Sequence, residues 1–142
     1  MKHLLALLIC GVMILGSSCR DGQREETGPS QMERVLAIHD EVMPKMGELS
    51  KLVGQLKERV DTGQGGEPYE KALKDLQGAH TSMMDWMKDF GDRFNADEIL
   101  NRAALSEEKQ QWLDQEEENI QAVKERINSS MARAKALLSE KE

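Results

Sequence analysis

Two segments of the chain share one spacing of side chains that bind soft metals. His39-Asp-Glu-Val-Met43-Pro-Lys-Met46 and His80-Thr-Ser-Met-Met84-Asp-Trp-Met87 both read H-x3-M-x2-M, and the second copy adds Met83. Residues at i, i+4 and i+7 lie on one face of a helix, so each copy would present an imidazole and two thioethers together. That set suits Cu(I), because a thioether is soft and binds without losing a proton. The candidate metal ligands are therefore His39, Met43, Met46, His80, Met84 and Met87. Haem held by one histidine and one methionine fits less well, since the chain has no C-x-x-C-H attachment sequence.

Two readings without a metal compete with this one. Methionine fills irregular core space, and a methionine stripe at helical spacing is ordinarily packing. A methionine-rich surface also makes an adaptable groove for a partner protein. A histidine in a core needs a hydrogen-bond partner, and Glu116 on the last helical segment is one candidate to supply it.

The elements that must position these residues are helical throughout. From about 31 to 61, Met32, Val35, His39, Val42, Met46, Leu49, Val53, Leu56 and Val60 follow one another at alternating steps of three and four. Asp61-Thr-Gly-Gln-Gly-Gly-Glu67 ends that helix, and Pro68 suits the first turn of the next. A second helix over about 68–90 places Tyr69, Leu73, Leu76, His80, Met83, Met87 and Phe90 on its seam. Residues 91–105 form a looser connector with a short helix capped by Asn95 and Glu98.

A third helix, about 106–140, starts at Ser106 with Glu107 and Glu108 in its first turn. Its seam is Leu113, Glu116, Ile120, Val123, Ile127, Ser130, Ala134 and Leu137. Pro44 and Gly47 interrupt the first helix, and proline crowds the carbonyl of Asp40, so a kink or short break is expected there.

The fold class is all-α. It is expected to be an antiparallel three-helix bundle, or a coiled-coil-like helical hairpin with a long C-terminal helix. Folding the first two helices back about residues 64–65 pairs positions whose numbers sum to about 129–130. Met43 then falls level with Met87, Met46 with Met83 and Met84, His39 with Phe90, and His80 with Leu49 and Ser50. The two histidines lie roughly 16 Å apart along such a hairpin and cannot share one ion.

The beginning of the chain has a different character. Met1-Lys2-His3 is followed by a twelve-residue apolar stretch, 4–15, and then by Leu15-Gly16-Ser17-Ser18-Cys19. Twelve helical residues rise about 18 Å, too short for a permanent membrane span. The sequence resembles the lipobox of bacterial lipoproteins, with Gly16 where a large aliphatic residue is usual. That resemblance implies a signal peptide over 1–18, cleavage before Cys19, and a diacylglycerol on its thiol that holds the protein on a membrane. Residues 19–31 are then the lipidated cysteine and a flexible polar tether, and 32–142 the helical domain. Cys10 lies in the apolar stretch, so the mature chain keeps one cysteine and has no disulfide framework.

Processing takes Lys2 from a chain whose net charge is already −7. An acidic protein of this kind is a poor partner for nucleic acid or anionic head groups. No nucleophile elbow, phosphate-cradling glycine loop or H-E-x-x-H occurs, so the expectation is a non-enzymatic protein. Its partners would be the membrane, through the lipid on Cys19, and a protein partner or a second copy engaged through the heptad seams.

The segment His39-Asp-Glu-Val-Met-Pro-Lys-Met-Gly-Glu-Leu49, then Met83-Met-Asp-Trp-Met87, then a long charged helix, resembles a group of uncharacterised small bacterial envelope lipoproteins. Some of them carry the label "viral A-type inclusion protein", a name that reflects coiled-coil composition. The resemblance covers most of the mature chain and implies a helical lipoprotein. It carries over no activity and no site residues.

Overall fold

The computed structural model describes residues 29–139. The expected signal peptide, Cys19 and most of the expected tether lie outside the described residues. Within them the chain is all-α, with no strand among the described residues. Helix α1 spans Gln31–Val42, a 3₁₀ turn spans Met43–Lys45, and α2 spans Met46–Asp61. Helix α3 (Glu67–Arg93) runs back, α4 (Ala96–Leu100) is a single short turn of connector, and α5 (Glu107–Ser139) runs forward again. The result is the three-rod antiparallel bundle, with α1 and α2 together forming the first rod.

Local chemistry explains most boundaries. Ser30 and Glu33 form a capping box at the start of α1, each satisfying a backbone N–H of the other. Asn95 and Glu98 do the same for α4, as the sequence predicts. The 62–66 turn depends on Gly63 and Gly66, whose φ values of 70° and 67° fall in the left-handed region that glycine enters without a Cβ clash.

At Pro44 the α-helix is interrupted by the 3₁₀ turn, the short break expected there. The Met43 N–H still reaches the His39 carbonyl, and the Met46 N–H then bonds to the Met43 carbonyl in 3₁₀ fashion. The rod therefore keeps its register against α5 through the break. Gln31 bonds to Asp114, Arg34 to Glu117, Glu41 to Lys124 and Lys45 to Asn128, all at a constant sequence offset of 83. A constant offset means that α1 and α5 run parallel, like two strands of a zipper.

The α3 stripe departs from expectation. Tyr69, Ala72, Leu76, Ala79, Met83, Trp86 and Phe90 are buried. Leu73 is only partly buried, His80 is half-buried, and Met87 is exposed. Helix α3 packs on both α2 and α5, so its stripe rotates to face two neighbours at once. Ala72 and Ala79 let those neighbours approach closely, and Trp86 buries more apolar surface than Met87 would. A smaller shift occurs in α2, where Leu52 is buried and Val53 lies on the flank. In α5 the seam from Leu113 to Ala134 is buried as expected, including Glu116 and Ser130.

Gly54 sits in the middle of α2 with no atom within 4 Å of where a Cβ would stand. Gly54→Ala should therefore stabilise the domain by up to about 1 kcal/mol, the difference in helix propensity. Thermal unfolding followed by circular dichroism should show a midpoint raised by about 4 °C.

Candidate functional site

The densest chemistry gathers where α1, α3 and α5 meet. Positions 86, 90 and 94 follow the i, i+4 spacing that stacks side chains along a helix face. Trp86 and Phe90 have ring centroids 4.9 Å apart and nearly parallel planes, and Phe94 continues the ladder at 4.9 Å. His39 of α1 caps the other end, its ring stacked on Trp86 at 5.7 Å. The expected level for His39 was Phe90; the contact is one turn earlier.

Beside this ladder lies a buried charge. Glu116 is 1% exposed, and its carboxylate forms a 2.8 Å ion pair with Arg93, which also lies 6.0 Å over the Trp112 ring. The other Glu116 oxygen and the Trp86 indole N–H have no hydrogen-bond partner of good geometry. Burial pushes the Glu116 carboxyl above the usual carboxylate range, and the Arg93 guanidinium opposes that push without cancelling it. Glu116 also lines an open groove of about 340 Å³ with Ser82, Asp85, Asp89 and Asn119.

This corrects one expectation. Glu116 does not serve a core histidine, because its partner is Arg93. His39 instead pairs through Nδ1 with its neighbour Asp40 at 2.9 Å. Arg93 escaped notice because α3 runs to residue 93, three residues into the expected connector. The visible signal was a glutamate on an otherwise apolar seam, which demands a buried partner.

A second ion pair fixes the connector. Lys109 donates to both oxygens of Glu98, at 2.7 and 2.9 Å, tying α4 to the first turn of α5. That bond, together with the backbone N–H of Asn95, holds the Glu98 carboxyl below its ordinary value.

The histidine and methionine residues divide into two groups. Met46 and Met83 are core residues, and Met43 is partly buried against the core. Met84 and Met87 are each 39% exposed, so they do not join Met43 and Met46 in one buried layer. His80 lines a groove between α2 and α3 with Leu49 and Ser50, the level the hairpin arithmetic gave. Among the described residues, no three His, Cys, Asp or Glu side chains are grouped to hold an ion.

The three inter-rod boundaries differ in chemistry. Charged and polar pairs lace α1 to α5, and Arg133–Asp75, Arg126–Ser82 and Arg93–Glu116 lace α5 to α3. Among the described residues, no salt bridge joins α2 to α3.

Among the described residues, no helix is long and apolar enough to cross a membrane. Comparison with protein-family models, curated proteins and solved structures finds no match for this chain.

Proposed function

We propose that this chain is a lipid-anchored protein of the bacterial cell envelope, whose helical bundle has a non-enzymatic, structural or partner-binding role. The observation that carries the reading is Leu15-Gly16-Ser17-Ser18-Cys19 at the end of a twelve-residue apolar stretch. Support comes from the polar segment that follows and from the capped helix that begins behind it at Gln31. The two buried carboxylates among the described residues are engaged in holding helices together: Glu116 with Arg93, and Glu98 with Lys109.

Replacement of the cysteine tests the anchor. Cys19→Ser should abolish incorporation of labelled palmitate and move the protein from the membrane fraction to the soluble fraction. Retention of the label, or of the membrane location, would overturn the reading.

A further inference from the structure

We propose that His80, Met84 and Met87 form a surface site for one Cu(I) ion on the outer flank of α3. At about 100° of rotation per residue, these positions fall within an arc of roughly 60°, at successive rises of about 6 and 4.5 Å. The three donors therefore project from one strip of a continuous helix that needs no rearrangement of its backbone.

Packing does not account for them. The buried stripe of α3 is complete without these residues, running from Tyr69 through Met83 and Trp86 to Phe90. Met84 and Met87 are two of the three large apolar side chains left exposed among the described residues. They give up the burial that ordinarily explains a methionine. Among the described residues, the His80 ring has no hydrogen bond, ion pair or ring contact, although it sits half-buried in the α2–α3 groove.

The first H-x3-M-x2-M copy is an internal comparison. His39 is occupied on Nδ1 by Asp40 and on its ring face by Trp86, and Met46 is buried. The same spacing has thus been absorbed into the core in one copy and left open in the other. Accessibility, which spacing cannot report, distinguishes them.

The donor set selects the ion. Two neutral thioethers and one imidazole favour a soft, singly charged metal over Mg²⁺, Ca²⁺ or Mn²⁺, which take oxygen ligands. Binding displaces no thiol proton and changes no oxidation state. The ion only exchanges its previous ligands for sulfur and nitrogen.

An anaerobic competition titration with a chromogenic Cu(I) chelator, on the full-length protein in detergent micelles, tests the site. Cu(I) is supplied as its acetonitrile complex. Wild type should take one ion that Met84→Leu/Met87→Leu and His80→Asn do not hold, each variant weakening affinity by more than ~100-fold, above the range seen for loss of a supporting ligand contact. His39→Asn should titrate like wild type. All these chains, the wild-type comparator included, carry Cys10→Ser and Cys19→Ser, so no thiol competes for the ion.

Equal binding by wild type and Met84→Leu/Met87→Leu would overturn the proposal. So would methionine-methyl NMR spectra in which Cu(I) shifts Met43 or Met46 instead of Met84 and Met87. Leucine preserves helix propensity and apolar surface, so unchanged circular dichroism separates lost ligation from lost folding. The site does not depend on the lipid anchor, and the palmitate experiment stands or falls separately.

Discussion

Trp86→Ala is expected to lose about 3–5 kcal/mol of stability, the range for removing a buried aromatic side chain. Trp86 is 6% exposed and stacks on both α1, through His39, and the ladder of α3, through Phe90. Its removal would leave a cavity at the junction of three helices, and rigid rods collapse poorly around such a gap. Against a typical domain stability of about 5–15 kcal/mol, that loss is large. The thermal midpoint should fall by roughly 12–20 °C. Trp86→Phe keeps a stacking ring and most of the buried apolar surface, so it should cost far less. A midpoint for Trp86→Ala within a few degrees of wild type would show that the ladder does not hold the junction together.

The second large effect depends on pH. Arg93→Met leaves the Glu116 carboxylate buried without its cation, and breaking such a pair costs about 3–5 kcal/mol at neutral pH. The folded-state carboxyl already lies above its unfolded value, because burial outweighs Arg93. A carboxyl raised in this way contributes stability below its unfolded pKa and loses that contribution as pH climbs through the folded value. Removing Arg93 raises the folded value further and so lengthens the window of loss. The cost should therefore be greatest near pH 8. It should shrink toward that of one hydrogen bond, about 1 kcal/mol, near pH 4.

Glu116→Gln removes the charge altogether, so at pH 7 it should be no less stable than wild type and should rescue Arg93→Met. Denaturant unfolding of the two single variants and the double variant at both pH values measures the coupling. The opposite slope comes from Glu98 and Glu117. Lys109 and Arg34 respectively hold their carboxyls below the ordinary value, so that support is present above the unfolded pKa and fades as pH falls through the folded one.

The sequence made the one-dimensional features legible. Pro44, Asn95 with Glu98, and the 62–66 glycines are local signals: the break expected at Pro44 takes the form of a 3₁₀ turn, and the cap and the reversal form as expected. The α5 seam was equally clear, because its aliphatic residues stand on one stripe among charged ones and its periodicity offers no second stripe. Helix α3 was harder. Its sequence supports two neighbouring stripes, through Leu73, His80 and Met87 or through Ala72, Ala79 and Trp86. Only the position of a third helix decides between them.

The same limit hid the chemistry that depends on pairing. That Glu116 needed a partner was readable, but Arg93 as the partner required knowing how far α3 extends. The constant offset between α1 and α5 had no sequence signature, since each member is an ordinary surface charge until two helices are laid side by side. The two H-x3-M-x2-M copies looked equivalent for the same reason, and their different exposure belongs to the tertiary structure alone.

Because α1 and α5 run parallel, residues 29 and 139 lie at opposite ends of a bundle whose longest helix, at 33 residues, extends about 50 Å. A pulling force applied between those two residues would slide α1 along α5 instead of peeling it away. Gln31–Asp114, Arg34–Glu117, Glu41–Lys124 and Lys45–Asn128 would then carry the load together, in shear. A domain pulled in this direction must break its lateral contacts at once, so its mechanical resistance exceeds what the strength of any one of those surface pairs would provide.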